Sequence, residues 1–110
     1  MSAETMLALL KVDLGITSTG YDVRLASLLT DAANRIIREG ASTLSPSDSA
    51  EDANLVIMYA GWLWRKRDTM EGMPRMLRWA LNNRIFAEKA AGTATAPADG
   101  YEYLEVVSND

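Results

Sequence analysis

The sequence predicts an all-helical fold: a small bundle of about four helices followed by an extended C-terminal tail. Three observations support this. Apolar residues return at helical spacing in four successive segments, separated by Gly-, Ser- or Pro-containing stretches. One of those segments, Ala53 to Trp64, is apolar at nearly every position, with Asn54 the polar exception. Strand-forming residues gather only near the C-terminus, in Tyr101 to Val107, with no second such run to pair with.

The first helix spans Glu4 to Leu14. Met6, Leu7, Leu10 and Leu14 supply its stripe, and Gly15 stops it. The polar connector Ile16-Thr17-Ser18-Thr19-Gly20 offers Ser18 or Thr19 as the N-cap of the next helix. Asp22 then falls in the first turn, where a carboxylate suits the helix dipole. The second helix, about Tyr21 to Glu39, has the clearest pattern: Leu25, Leu28, Leu29, Ala32, Ala33, Ile36 and Ile37 form one face. Arg24, Ser27, Asp31, Asn34, Arg35 and Arg38 form the other, and Gly40 is placed to end the helix in a left-handed cap.

Ala41 to Ser49 reads as a serine-rich loop containing Pro46, and Ser49 with Asp52 makes a capping-box signal. The third helix follows, from about Ala50 to Asp68. It is apolar all round between Ala53 and Trp64 and closes with the cations Arg65-Lys66-Arg67 at the negative end of its dipole. Gly61 inside it suggests close helix packing. Thr69 to Met73 is a tight connection, and Pro74 suits the first position of a fourth helix that runs to about Lys89. Met73, Met76, Leu77, Ala80, Leu81 and Ile85 share one stripe there, with Trp79 and Phe86 off it. Met70, Met73 and Met76 read as adaptable core filling. Residues 1–89 thus form a helical domain, and 90–110 form a small-residue linker and strand-like tail. No internal repeat or heptad series stands out.

Composition narrows the function. The chain has 110 residues, enough for one core, and 48% of them are hydrophobic, which excludes wholesale disorder. With no cysteine and no histidine, disulfides, thiolate sites and imidazole catalysis are excluded. No carboxylate loop has calcium-binding spacing, no Gly-rich phosphate loop is present, and no nucleophile–base pair can be assembled. The expectation is a non-enzyme without metal or cofactor. No run approaches the ~18 apolar residues of a membrane span, and the chain reads as cytosolic.

Charge is uneven. Residues 1–64 carry four basic and eight acidic groups, net −4; residues 65–89 carry seven and three, net +4; residues 90–110 carry none and four, net −4. Arg65, Lys66, Arg67, Arg75, Arg78 and Arg84, interleaved with Trp64 and Trp79, admit two readings. They could grip phosphates while the aromatics stack, or they are solvated helix-end charges that pair with acidic groups of a neighbouring copy. The chain's net acidity favours the second.

The segment Leu55-Val56-Ile57-Met58-Tyr59-Ala60-Gly61-Trp62-Leu63-Trp64-Arg65-Lys66-Arg67, with Met73-Pro74-Arg75-Met76-Leu77 and Ala80-Leu81-Asn82-Asn83-Arg84 after it, resembles the small head–tail connector proteins of long-tailed bacteriophages and prophages, also called head-completion or adaptor proteins. Leu10-Lys11-Val12-Asp13-Leu14-Gly15-Ile16 and the helix start at Tyr21-Asp22 are similar to the same family, so the resemblance covers about residues 5–88. It rests on packing patterns without chemistry.

The resemblance implies a structural virion protein that forms a twelve-fold ring at the capsid portal vertex after packaging, joining head to tail and extending the DNA channel. Its implied partners are the portal protein, neighbouring copies, the next tail-side component (a stopper or tail-completion protein) and the passing genome. It implies a place at the head–tail interface of the virion, after assembly in the bacterial cytoplasm, and no membrane.

On this reading Leu25, Leu29, Ile36, Met58, Trp62, Leu77 and Leu81 form the core. Arg65, Lys66, Arg67, Arg75 and Arg78 are an electrostatic interface or face DNA, and Tyr101, Tyr103, Leu104, Val106 and Val107 engage the portal or an adjacent subunit. A monomer of this size is expected to lack the surface to hide Leu55 to Trp64 all round, so neighbours should cover one side. The alternating charge suits head-to-tail contacts that close a ring. The alternative is a small nucleic-acid-binding regulator using the basic band 65–84.

Overall fold

The computed structural model describes residues 1–95, and over these the protein is an all-α bundle. Four helices follow one another: α1 (Ala3–Leu14), α2 (Asp22–Glu39), α3 (Ala50–Arg65), which runs on into a 3-10 turn at Lys66–Asp68, and α4 (Arg75–Thr95).

Local chemistry sets most of the ends. Ser2 Oγ accepts the Thr5 N–H at 3.1 Å and caps α1, whose last turn closes on Gly15 at φ 72°. At the start of α2 neither Ser18 nor Thr19 supplies the expected side-chain cap. Tyr21 holds that position without one, and the Thr19 backbone carbonyl takes the Asp22 N–H instead. The Asp22 carboxylate also lies 2.8 Å from Lys11 Nζ, which ties α2 to α1. Gly40 ends α2 at φ 138°, and a methyl there would sit 3.1 Å from Ile85 Cγ2, so both backbone and space demand glycine. Ser49 Oγ accepts the Asp52 N–H at 3.2 Å, but Asp52 does not complete the capping box, because its carboxylate is used elsewhere.

Helix α4 begins with the Pro74 carbonyl accepting the Arg78 N–H, and it runs to Thr95 rather than stopping near Lys89. Residues 90–95, read from sequence as linker, are therefore helical. Ala90 and Ala91 are strong helix formers that offset Gly92, and no proline falls between them and Pro97.

α3 is the centre of the bundle. α1 and α2 cover one side of it and α4 covers the other. α1 runs parallel to α3, with Leu10 lying against the Gly61 turn. α2 and α4 run antiparallel to α3, placing Tyr21 at Trp64 and Arg84 at Asp52. Leu10, Leu25, Ala32, Ile36, Ala53, Val56, Ala60, Leu77 and Leu81 are closed to solvent, and this shared core is the main stabilising term.

Three sequence expectations about this core differ from the structure. Leu55, Val56, Ile57, Tyr59, Ala60, Trp62 and Leu63 are all buried within one chain, so α3 needs no neighbouring subunit to cover it. Covering a helix on two sides takes only the two layers that α1/α2 and α4 already provide. Met58 is not in the core: at 39% exposure it faces outward beside the start of α4. Gly61 has room for a methyl, whose nearest neighbours would be Arg65 Nη1 at 3.4 Å and Leu10 Cδ1 at 3.8 Å, so close packing does not require glycine there.

Candidate interaction surface

The five basic residues singled out from sequence separate into groups with different occupations. Lys66 Nζ lies 4.4 Å from the centroid of the Trp62 ring, and the Arg67 guanidinium lies 3.8 Å from that of Trp64. Arg67 also donates to the Trp64 carbonyl and lies 3.6 Å from Asp68. The rings themselves are engaged edge-on, Trp64 with Tyr21 at 5.3 Å and Trp62 with Tyr59 at 5.6 Å, and Trp62 Nε1 donates to the Gly72 carbonyl. These aromatics brace the end of α3, and Lys66 and Arg67 cap them. A stacking platform for bases would need the ring faces open.

Arg78 turns toward α2 and pairs with Glu39 at 3.3 Å. Glu39 also accepts from the Tyr59 hydroxyl, and burial, with the Glu39 charge beside it, pushes the Tyr59 phenol above its ordinary range. Arg65 and Arg75 are exposed at the end of the bundle where α3 stops and α4 begins. Arg65 lines an open groove of about 340 Å³ together with Asp13, Met58, Pro74 and Met76.

Arg84 belongs to a different structure, a polar lock between α3, α4 and the loop after α2. Its guanidinium donates to Asp52 Oδ1 at 2.7 Å, Glu88 Oε1 at 3.1 Å and Thr43 Oγ1 at 3.2 Å. Glu88 in turn accepts from the Thr43 hydroxyl and N–H and from the Ser42 hydroxyl. Those Thr43 bonds, with lesser help from Ser42 and Arg84, hold the Glu88 carboxyl down at about 2. Burial alone would raise Asp52, but the hydrogen bonds from Arg84 and the Ser45 N–H outweigh it and leave the carboxyl below its ordinary value. The Asp52 hydrogen bond in turn holds the Arg84 guanidinium more firmly protonated. Two carboxylates held ionised against a fixed guanidinium form a clamp.

The methionine reading is corrected on two counts. Met70 is fully exposed in the connection before α4, and Met76 is 68% exposed, so of the three only Met73 packs against the core. Met76 belongs instead to a surface that the sequence reading passed over. With Trp79 at 62% and Phe86 at 72% exposure, it makes the outer side of α4 apolar. Single exposed apolar residues need no explanation, but three large ones along one helix face do. Trp79 and Phe86 were visible in sequence as residues off the inward stripe, and their own spacing was the signal.

A second apolar groove, of about 490 Å³, lies between α1 and α2 and is lined by Met6, Leu7, Leu29, Ala33 and Pro46. Among the described residues no cluster of three or more metal-ligating side chains occurs, and no helix is long and apolar enough to cross a membrane. Tyr101, Tyr103, Leu104, Val106 and Val107, the expected portal or subunit contacts, lie outside the described residues. Scanned against protein-family models, curated proteins and solved structures, the chain finds no match.

Proposed function

We propose that this protein is a structural connector of a long-tailed phage or prophage, one that assembles as a ring at the portal vertex and joins head to tail. The resemblance over about residues 5–88 is the source of the reading, and the distribution of exposed charge is the observation that carries it. Glu4, Asp48 and Glu51 are exposed at the end of the bundle where α3 starts, and Arg65, Arg67 and Arg75 are exposed where it stops. α3 has 16 residues, so these ends are separated by roughly 24 Å. Asp13, Asp68 and Glu71 dilute the basic end, and Lys89 the acidic one, without cancelling either. Identical copies set head to tail around a circle would place one copy's acidic end against the next copy's basic end, a heterologous contact that closes into a ring where the rotation between copies closes. The net charge of −4 suits a channel wall along which DNA slides, since a cationic wall would hold it.

In this role the partners are the portal protein, neighbouring copies, the stopper or tail-completion protein, and the genome in passage. The protein resides at the virion head–tail interface. The test is co-expression with the portal protein of the same genome, followed by native mass spectrometry and negative-stain imaging. Association with portal as a multimer is expected, and a chain that never joins portal rings under any condition tried would overturn the reading. Salt-dependent DNA binding that is lost on neutralising Arg75 and Arg78 would favour the nucleic-acid regulator instead.

A further inference from the structure

The outer face of α4 has an order of its own. Met76, Trp79, Asn83, Phe86 and Ala90 succeed one another in alternating steps of three and four residues, and all five are exposed. That stepping draws a straight seam along a helix, as two packed helices present to each other. The buried Leu77 and Leu81 and the half-buried Ile85 lie on the other side, against the bundle. α4 therefore has two packing faces, and the described residues of its own chain use one. No heptad series stood out in the sequence because the inward residues set the dominant period and Asn83 interrupts the outward one.

We propose that a second copy of this chain covers the seam, with its α4 antiparallel to the first, in a two-fold dimer. Three observations choose this occupant. The seam is one a helix of like pattern fits, and a polar residue at its centre, Asn83, is the kind of group that fixes register between paired helices. The exposed area is adequate. Aromatic side chains present roughly 150–250 Å² each, so Trp79 and Phe86 at about two-thirds exposure, with Met76, give roughly 400 Å² per copy. Asn82, Asn83, Ala87, Ala90 and the stem of Arg75 extend this toward the roughly 800 Å² per partner of a stable interface.

Charge selects the direction. Arg65, Lys66, Arg67 and Arg75 lie at the N-terminal end of α4, so antiparallel pairing keeps the two basic ends apart and aligns the two helix dipoles favourably. Parallel pairing would bring the two basic ends together. Antiparallel pairing does bring Arg75 near the partner copy's Lys89, but both are exposed, where like charges are screened.

A two-fold contact closes on itself, whereas a ring needs a head-to-tail contact, so the inference goes beyond the connector reading and does not rest on it. The chain has no cysteine, so introduced thiols report cleanly. Sedimentation velocity of the full chain over a concentration series should reach twice the single-chain mass. Trp79→Glu and Phe86→Glu should each return it to the single-chain mass with helical circular dichroism unchanged, because both side chains face outward. Mixed Met76→Cys and Ala90→Cys chains, oxidised gently, should cross-link to each other more than either does to itself.

A single-chain mass at every concentration would overturn the proposal, as would a higher multiple that the glutamate variants leave intact. Met76→Cys cross-linking mainly to itself would overturn the antiparallel arrangement. None of these measurements involves portal, so the dimer and the connector role can fail separately.

Discussion

Replacing Arg84 by Met tests how much of the bundle depends on the polar lock. Met keeps the apolar stem that packs between α3 and α4 and removes only the guanidinium. Asp52 then stays buried with the Ser45 N–H as its remaining side-chain partner, and Glu88 keeps Ser42 and Thr43. Removing one member of a fully buried pair costs about 3–5 kcal/mol. Here the Asp52 side chain is 9% exposed and that of Arg84 19%, so some water screens the orphaned carboxylate and the figure falls to about 2–3 kcal/mol. In a domain of this size that is a fall in Tm of roughly 10–20 °C. Urea unfolding at neutral pH, followed by circular dichroism, measures it directly. Adding Asp52→Asn to Arg84→Met should recover about 1 kcal/mol or more, because the uncompensated charge is then gone. A loss below about 0.5 kcal/mol for Arg84→Met, or strict additivity in the double variant, would refute the view that this pair clamps α4 to α3.

The same lock sets an acid limit. Glu88 titrates at about 2 in the folded protein against an ordinary 4.5, so its contribution to stability is complete above about 4.5 and is lost as pH falls toward 2. Asp52, also lowered, acts in the same direction. The Glu88→Gln protein should therefore lose less stability between pH 5 and pH 2 than the parent, as thermal unfolding across that range will read. Two of the helix-related glycines should respond with opposite sign. Gly61→Ala, with room for its methyl, should stabilise by about 0.5–1 kcal/mol, while Gly40→Ala, strained at φ 138° and pressed on Ile85, should destabilise by about 1–3 kcal/mol. Ser49→Ala removes the α3 cap and should cost about 1 kcal/mol in the same urea assay.

These perturbations divide into those a sequence reader could foresee and those the fold had to reveal. Leu25, Leu29, Ile36, Leu77 and Leu81 were legible because a 3.6-residue period leaves them one face to occupy, and they are buried. The Ser49 cap and the Gly40 stop were legible because their chemistry is local. The Arg84 lock was not. Asp52 looked like the partner of a capping box three residues away, whereas its actual partner lies 32 residues on, and no local spacing records that pairing. The basic band failed as a unit for a related reason. Arg65, Lys66, Arg67, Arg75, Arg78 and Arg84 are neighbours in sequence, but the turn at residues 66–74 reverses the chain. Lys66 and Arg67 then fall on tryptophans, Arg78 on α2 and Arg84 on the α3 start.

α3 shows where an apolar pattern stops being informative. A segment apolar all round must be covered, but the pattern does not say by what. Here α4 supplies the cover, and in doing so it turns Met76, Trp79 and Phe86 away from the bundle. The surface that asks for another protein is thus displaced from the central helix, where the sequence placed it, to the outside of the helix that covers it. Burying α3 within the chain and exposing α4's outer face are consequences of one packing choice. A substitution that frees α4 from α3, such as Arg84→Met with Leu81→Ala, should therefore expose the α3 core and disorder the outer seam together. Hydrogen exchange would show amides of α3 and α4 losing protection at the same denaturant concentration, and α4 opening alone with α3 still protected would mean that α1 and α2 suffice to cover it.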